Sequence, residues 1–354
     1  MAFAAHAADA ITISAYFDQT GPGGPYAKRG ENGFNLAIEE AKASGALKVD
    51  IKSIKGDTGG NPQRAATLAG EAVSSDASVV IYGTSSGPAL AMAPAMQQAK
   101  LPFIVVQAVT PKLLSVGDYI YTSSAYYRTF HELYAKFLGS KGIKKLAVVY
   151  TGDAPSFNEL GSKDYVEFGR KYGFEVELNE VAISTTDFTT VTRKIVASQP
   201  DAIAFLLYGP QSATFISLLR QAEYKGYVGA NTVTDFLAAA GAQANGIYSP
   251  APFSPAISCE GGRKFAEAYQ KAYGAAADDI AANGYNAGRM LVRAIEIANG
   301  NYTRENMKAS MDKVLAEGLK DTSTCTLSFE GHEVKLPGIL VQIEDGKQIE
   351  VKLQ

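Results

Sequence analysis

The residues of this sequence best suited to chemistry form one short segment, GTSSG at positions 83–87, rich in hydroxyl groups and glycine. The segment follows an apolar, β-favouring run, VVIY, and precedes Pro88, whose missing N–H suits the first turn of a helix. The free N–H groups at the start of such a helix and the hydroxyls of Ser85 and Ser86 together favour an anion. We expect the two glycines to take backbone angles that other residues avoid. The competing interpretation is structural: Ser85 or Ser86 simply caps the helix.

The same segment matches G-x-S-x-G, the nucleophile elbow of α/β-hydrolases, which also lies between a strand and a helix. A hydrolase needs a histidine and an acid downstream of the serine. His131 lies in a helical run, HELYAKFL, where we expect a surface position, and His332 has only Glu330 and Glu333 as nearby carboxylates. No HGG-type oxyanion loop precedes the segment. The sequence therefore favours binding over catalysis, and we expect no enzyme activity.

The bulk composition excludes several classes of protein. A chain of 354 residues with 46% hydrophobic and 19% charged residues fits two globular domains of moderate size. The net charge of −3 gives no reason to expect nucleic acid as a partner. No apolar run approaches the roughly 18 residues that cross a bilayer. With two cysteines and three histidines at unrelated spacings, we expect no metal and no cofactor.

The start of the chain, MAFAAHAADA, resembles the small-residue end of a secretory signal, with an A-x-A pattern at positions 5–7. We therefore expect residues 1–10 to be a signal remnant or a disordered start, and the protein to be exported to the periplasm. In an exported protein Cys259 and Cys325 can form a disulfide; the alternative is two free buried thiols.

Strand and helix patterns alternate through most of the chain, which predicts an α/β protein with mostly parallel sheets covered on both faces. A second series of elements begins near residue 123, so we expect two similar units in tandem. Predicted strands are 11–17, 49–54, 79–82, 103–106, 146–150, 175–182 and 203–207; predicted helices are 26–43, 62–73 with Asn61 as cap, 127–141, 161–172, 188–197 and 212–225. Prolines in SPAPFSPA (249–256) predict an extended connection, helices follow at 261–273, 281–299 and 303–315, and the tail predicts strands with a two-residue turn at Asp345-Gly346.

Five stretches occur in order from about residue 11 to the C-terminus: QTGPGGPYAKRGENGFNLAIEEA, VVIYGTSSGPALAMAPAMQQAKLPFIVVQAVTP, YTSSAYYRTFHELYAKFL, DFTTVTRKI with FISLLRQAEYKG, and NGYNAGRMLVRAIEIA. Together they resemble the periplasmic solute-binding proteins of ABC importers, in the leucine/isoleucine/valine-binding (branched-chain amino acid) branch. The resemblance implies the type I periplasmic-binding fold: two Rossmann-like α/β lobes joined by three crossing strands, with the ligand in the interlobe cleft. On that pattern the crossings lie near 121–124, 247–252 and 328–332. Lobe 1 would comprise 11–122 plus 253–327, and lobe 2 would comprise 123–252 plus 328–354.

The resemblance also implies a function: an extracytoplasmic solute-binding component that traps a small carboxylate ligand by hinge closure. The ligand would be an amino acid or an aromatic acid, the partners would be ABC permease subunits in the membrane, and we expect a monomer. A ligand-sensing module of the same fold is the alternative, since a standalone sensor subunit would have the same sequence pattern.

In this family the ligand carboxylate is held by the serine turn and by the loop after the next strand. Ser85 and Ser86 occupy the first place, and Ala108 with Thr110 occupy the second. Three further residues are candidates for ligand contact in the first lobe, each with packing as its alternative. They are Tyr26, at the cleft wall, and Tyr82 and Gln107, at the carboxyl ends of their strands, where open α/β sheets bind ligands.

The second lobe departs from the branched-chain pattern. Phe157, Tyr208 and Thr232 fall near positions that enclose the ligand. Pro210 and Asn231 or Thr232 fall where branched-chain binders offer a tyrosine and an acidic residue to the ligand ammonium. Without an anionic partner a buried ammonium is poorly compensated, which puts α-amino acid recognition in doubt. Arg128, beside Tyr126 and Tyr127, suits an aromatic acid or another carboxylate; its alternative is a solvated side chain at a helix start.

Overall fold

The structure, a computed structural model, describes residues 10–21, 23–108, 110–230, 234–336 and 338–353. The chain divides into two compact units, the first comprising Met1–Tyr126 and Ser258–Leu336 and the second Tyr127–Ile257 and Pro337–Gln354. These bounds differ from the lobes expected from the sequence. Residues 123–126 and 328–336 belong to the first unit, and 253–257 belong to the second. The expected signal remnant lies almost wholly outside the described residues.

The first unit begins with five strands that form one parallel sheet in the order β2-β1-β3-β4-β5. The elements are β1 (Ala10–Tyr16), α1 (Gly24–Ala43), β2 (Asp50–Gly56), α2 (Pro62–Ser74), β3 (Val79–Tyr82), α3 (Ser86–Gln98), β4 (Phe103–Val105), α4 (Pro111–Leu114) and β5 (Ile120–Thr122). Asn61 caps α2 as predicted, since its side chain accepts a hydrogen bond from the Arg64 N–H at 2.9 Å. The central strands are apolar because both faces of the sheet are covered.

The second unit contains a seven-stranded sheet in the order β15-β14-β10-β9-β8-β6-β7. Its first elements are α5 (Tyr127–Ser140), β6 (Lys145–Thr151), α6 (Pro155–Glu159), a π-helical turn (Leu160–Asp164), α7 (Tyr165–Tyr172), β7 (Glu175–Val181), α8 (Thr189–Ala197), β8 (Ala202–Leu206), α9 (Gly209–Gln221), β9 (Tyr227–Ala230), α10 (Thr234–Ala240), a 3₁₀ turn (Gly241–Ala244) and β10 (Tyr248–Ala251). The proline-rich connection is thus partly a strand, and Pro250 lies opposite Leu340 in its antiparallel pairing.

The chain then returns to the first unit and ends in the second. The elements are α11 (Glu260–Tyr273), α12 (Asp279–Ala298), α13 (Arg304–Glu317), β11 (Leu319–Thr322), β12 (Cys325–Glu330), β13 (Glu333–Lys335), β14 (Ile339–Glu344) and β15 (Lys347–Glu350). The strands β11-β12-β13 form a separate sheet, which explains why residues 328–336 stay with the first unit. The predicted turn joins β14 to β15, with Asp345 and Gly346 at φ 48° and 74°.

Cys259 and Cys325 form a disulfide, with their Cα atoms 5.8 Å apart. It joins the residue before α11 to the start of β12, so it ties the separate three-stranded sheet to a helix of the same unit. Of the two alternatives that the sequence left open, the structure has the disulfide. Among the helices of the described residues, none combines the length and apolarity that a membrane-crossing segment requires.

Helices α1 and α12 pack backbone against backbone through glycine. A Cβ atom built on Gly284 would lie 2.0 Å from the carbonyl oxygen of Gly30, and one built on Gly33 would lie 2.0 Å from that of Ala281. No side chain fits in that space. The start of α12 lies beside the loops that follow β4 and β5, since Asn283 forms hydrogen bonds with Gln107 and Ser123.

A buried group of charges lies where these two helices meet. The Arg29 Nε atom is 2.8 Å from Asp278 Oδ2, and the Asp278 side chain also accepts the Ala281 N–H at 2.9 Å as the cap of α12. The next residue, Asp279, has a buried Oδ1 atom with no hydrogen-bond partner among the described residues. Burial, and then the negative charge of Asp278, raise the pKa of Asp279 to about 7.

We expect Asp279→Asn to stabilise the protein at pH 8 by up to about 4 kcal/mol and to change little at pH 4. The carboxyl holds its proton more tightly in the folded protein than in the unfolded chain, whose aspartates have a pKa of about 3.9. The wild-type free energy of unfolding therefore falls as pH rises from about 4 to about 7, whereas asparagine does not titrate. Urea unfolding followed by circular dichroism at several pH values measures the difference. Asp50→Asn, at an 85% exposed side chain, is the control and should show no such trend; an equal gain at pH 4 and pH 8 would contradict the explanation.

Candidate functional site

The serine turn, residues 83–86, connects β3 to α3 at the carboxyl edge of the first sheet. All four residues of β3 are buried, so the strand holds the turn firmly in place. Ser85 is the residue before α3, with φ −130° and ψ 159°, but its side chain makes no capping hydrogen bond to the helix. Ser86 is the first helical residue and is 9% exposed. Ser85 therefore occupies the helix-capping position that we considered as the alternative to ligand binding. Its side chain does not make the hydrogen bond that defines a cap.

Backbone conformation, which we expected to explain the two glycines of the segment, does not explain them. Neither Gly83 nor Gly87 has a positive φ angle, so the prediction of angles closed to other residues is wrong. A Cβ on Gly83 would lie 2.0 Å from Cδ1 of Phe17, whereas one on Gly87 would meet only Pro62 Cγ, at 3.7 Å. Gly83 is needed because an aromatic ring approaches the backbone, and Gly87 has ordinary room for a methyl group.

Tyr82 lies beneath the serine turn and is fully buried. Its hydroxyl donates to Asp18 Oδ2 at 3.2 Å and accepts the Ser85 N–H at 3.4 Å. Thr58 Oγ1 donates to the other oxygen of Asp18 at 2.5 Å. Burial, and then the charge of Asp18, raise the pKa of Tyr82 to about 12. These contacts favour the packing role that we kept as the alternative for Tyr82: it supports the turn from inside the unit.

Asp18 is a residue that the sequence interpretation missed. Its carboxylate is fully buried and joins the ends of three strands, since Asp18 follows β1, Thr58 follows β2 and Tyr82 ends β3. The Asp18 N–H also donates to the Thr84 hydroxyl, at 3.3 Å, within the serine turn. The only available signal was its place after an apolar strand, where the carboxyl ends of parallel strands meet.

The loop after β4 carries three more of the first-unit candidates. Ala108 and Thr110 are both fully buried, and Thr110 is the residue before α4. Gln107 is half-buried, and its Oε1 atom accepts a hydrogen bond from Asn283 Nδ2 at 3.1 Å. Asn283 comes from α12, 176 positions away in the sequence, and was not predicted. Adjacent strand ends therefore place the loop of Gln107 and the serine turn at the same edge of the sheet.

Tyr26 lies on α1 and is half-buried, with the Arg29 guanidinium carbon 5.0 Å from the centre of its ring. This is a cation–π arrangement within one helix. The contact is compatible with either of the roles that we considered for Tyr26, a wall of the ligand site or packing.

Arg128 in the second unit is engaged with acidic side chains. Its Nη1 atom lies 2.6 Å from Asp164 Oδ1 and 2.7 Å from Glu167 Oε2, and its guanidinium covers the ring of Phe168 at 5.4 Å. The side chain is 47% exposed. A ligand carboxylate would have to compete with these two carboxylates, so the structure favours the alternative, a side chain at the helix start that is in contact with solvent.

Three rings of the second unit form what we call the aromatic row: Tyr127, Phe157 and Tyr208. The Tyr127 and Phe157 rings stack with centres 5.5 Å apart, and the Phe157 and Tyr208 rings lie 5.3 Å apart. Tyr208 also precedes α9 and shares a capping arrangement with Gln211. The structure thus brings Phe157 and Tyr208 together, whereas Thr232 and Asn231 lie outside the described residues.

The two histidines considered for a hydrolase have other roles. His131 is 1% exposed, so the surface position predicted for it is wrong; its Nδ1 atom lies 3.0 Å from the Tyr165 hydroxyl. His332 Nδ1 lies 2.8 Å from the carbonyl oxygen of Ile120, and its ring stacks on Tyr121 at 4.8 Å. Both rings are held by packing within their own unit. In the part of the chain that the structure describes, no three His, Cys, Asp or Glu side chains are grouped closely enough to hold a metal ion.

Comparison with known proteins gives consistent results. The family profile described as periplasmic binding protein matches residues 10–348. A Leu/Ile/Val-binding protein homologue of Brucella suis is 24% identical over 301 residues, covering 77% of this chain and 73% of the relative. Two solved structures are similar in fold. A leucine-binding protein of Thermotoga maritima has TM-score 0.86 and 20% identity, covering 97% of this chain and 98% of that one. An ABC transporter solute-binding protein of R. palustris, in complex with benzoate, has TM-score 0.86 and 19% identity, covering 97% and 95%.

Proposed function

Because the chain belongs to the periplasmic binding protein family, we propose that it is the solute-binding component of an ABC importer and takes up a small carboxylate ligand. The observation that carries the proposal is the serine turn, a rigid bend with two hydroxyl groups at the start of a 13-residue helix. Backbone N–H groups and hydroxyls at such a helix start complement a carboxylate. In the proposal, Ser85, Ser86, Ala108 and Thr110 hold the ligand carboxylate from the first unit.

The second unit would choose the rest of the ligand. The two units close over the ligand in the proposal, and only contacts that are better in the closed state shift that equilibrium. In the proposal, the half-buried Tyr127 and Tyr208 rings at the two ends of the aromatic row contact a flat ligand. Pro210 provides no acidic group for an ammonium. Both observations support an aromatic acid over an α-amino acid.

The proposal extends to location and partners. The protein would act outside the cytoplasm, consistent with the family description, and would deliver its ligand to membrane permease subunits as a monomer. It would bind without chemical turnover, since the contacts of His131 and His332 hold both rings in packing roles. Hydrolysis of 4-nitrophenyl acetate that disappears in Ser85→Ala would overturn this part of the proposal.

We expect benzoate or 4-hydroxybenzoate to raise the melting temperature by about 5 °C or more when present far above its Kd, because binding stabilises only the folded state. Leucine and valine should have a much smaller effect.

Ser85→Ala and Ser86→Ala should each weaken the affinity for the best acid about 10-fold or more, measured by titration calorimetry.

Ser74→Ala is the matched control for the serine variants. Its hydroxyl donates to the Gly70 carbonyl at the end of α2, so affinity should stay within about twofold of wild type. Selective binding of leucine or valine would refute the aromatic-acid preference. Unchanged affinity in both turn variants would refute the carboxylate site itself.

A further inference from the structure

Asn283 is a buried amide on α12 that the proposed site does not yet use. It is 2% exposed, and its Nδ2 atom donates to Oε1 of Gln107 at 3.1 Å. Its own Oδ1 atom is buried and has no hydrogen-bond partner among the described residues. A buried amide oxygen without a partner lowers stability, so this position is not explained by hydrogen bonding within the fold alone. Among the described residues, the side chain of Asn283 has one hydrogen-bond partner, Gln107 in the loop after β4.

The backbone around this amide pair is fixed by further hydrogen bonds. The Ser123 hydroxyl donates to the Asn283 carbonyl oxygen at 2.9 Å, and the Ser123 N–H donates to the Val105 carbonyl oxygen at 3.2 Å. The Ser124 hydroxyl donates to the carbonyl oxygen of Val106, next to Gln107. The loops after β4 and β5 and the start of α12 therefore form one connected network, all within the first unit, that fixes where Asn283 lies relative to Gln107.

The direction of the hydrogen bond gives the pair a chemical polarity. A primary amide has an accepting oxygen at one end and two N–H donors at the other. Because Asn283 donates to the Gln107 oxygen, the accepting end of Gln107 is engaged, while its Nε2 atom makes no hydrogen bond to the described residues. Among the described residues, the donor end of Gln107 is thus available on a half-buried side chain that follows a strand at the carboxyl edge of the sheet.

We propose that Asn283 is a positioning residue that orients Gln107 so that its NH₂ group donates to an oxygen of the ligand. The inference rests on the proposed function and names one source of its specificity. A freely rotating glutamine offers either end to a ligand, whereas an oriented one accepts carboxylate or hydroxyl oxygens and rejects a donor such as an amide NH₂. The pair therefore selects a carboxylic acid over the corresponding primary amide.

The first test is a double-mutant cycle measured with benzoate and benzamide by titration calorimetry. Asn283→Ala and Gln107→Ala should each weaken benzoate binding about tenfold and reduce the preference for benzoate over benzamide by a similar factor. If Asn283 acts through Gln107, the Asn283→Ala change in the Gln107→Ala background should alter the Kd less than about twofold. Additive effects of the two substitutions would overturn the inference.

Asn286→Ala is the matched control. Asn286 lies one turn further along α12, is fully buried, and bonds instead to Ser323 and Thr324. Its loss should lower the melting temperature and leave the benzoate-to-benzamide preference within about twofold of wild type. If Asn286→Ala changes that preference as much as Asn283→Ala does, the role of Asn283 is merely structural and the inference is wrong.

A measurement without ligand separates this inference from the proposed function. Nitrogen-15 relaxation of the Gln107 side-chain amide should show restricted motion in the wild type and in Asn286→Ala, and free motion in Asn283→Ala. If no acid binds the wild-type protein, the proposed function fails, and the relaxation result still decides whether Asn283 orients Gln107. Equal mobility of the Gln107 amide in all three proteins would overturn the positioning role.

Discussion

Replacing Gly284 by alanine should lower the free energy of unfolding by about 3 kcal/mol or more. The new Cβ atom would lie 2.0 Å from the carbonyl oxygen of Gly30, a contact that only movement of one helix backbone can relieve. Separating α1 from α12 would open the packing along two helices of 20 residues each. The helix propensity of alanine would offset only about 1 kcal/mol of this loss. Urea unfolding followed by circular dichroism measures the change.

Gly70→Ala provides the matched control for this substitution. Gly70 also lies inside a helix, α2, but a Cβ atom there meets nothing within 4 Å. The control should therefore stabilise the protein by about 0.5–1 kcal/mol through helix propensity alone. Gly33→Ala should behave like Gly284→Ala, and the double variant should lose less than the sum because both disturb one helix pair. An unfolding midpoint of Gly284→Ala at or above that of wild type would contradict the close approach.

The sequence predicted elements that have strong local signals and missed those that depend on pairing. The cap at Asn61 and the turn at Asp345-Gly346 were identified because each depends on neighbours in the sequence. Strands β9 and β11 were missed; each has only four residues, and the sheet, not the local sequence, makes them strands. The predicted helix at 161–172 is instead α6, a π-helical turn and α7, because Pro155 starts the helix earlier.

His131 is an error that the sequence contained the means to avoid. It lies four positions after Tyr127 and three before Tyr134, on the face of α5 that also carries Phe130. That spacing is the apolar stripe of an amphipathic helix, which faces the core. The histidine was judged by its residue type, although its place in the periodic pattern was the better guide.

The candidate site was predictable only in part, for a related reason. The serine turn was found because strand, turn and helix follow one another within a few residues. Asp18 and Asn283 contact Tyr82 and Gln107 across 64 and 176 positions of sequence, and such contacts depend on which strands and helices become neighbours. Local pattern therefore identifies which segments can bind an anion, whereas the folded chain decides which side chains orient them.

Removing the disulfide should lower the free energy of unfolding by about 4 kcal/mol, because the bond restricts the unfolded chain more than the folded one. Cys259 and Cys325 are 66 residues apart, and the stabilisation grows with the logarithm of that separation. Both side chains are only half-buried, so the substitution Cys259→Ala with Cys325→Ala removes little packing. The closed segment contains α11, α12 and α13, so the bond restrains much of the second part of the first unit.

Urea unfolding of the double-alanine protein, with and without dithiothreitol, measures this effect. Reductant should bring the wild type to the stability of the variant and leave the variant unchanged. The backbone at Cys325 supplies a second comparison, because its φ angle of 74° is unfavourable for any residue with a side chain. Glycine at position 325 removes this backbone strain, which favours the folded Cys259→Ala with Cys325→Gly protein over the double-alanine protein by roughly 1 kcal/mol. The greater freedom of glycine in the unfolded chain offsets part of that gain. If the reduced wild type unfolds at the same urea concentration as the oxidised protein, the bond does not stabilise the fold in this way.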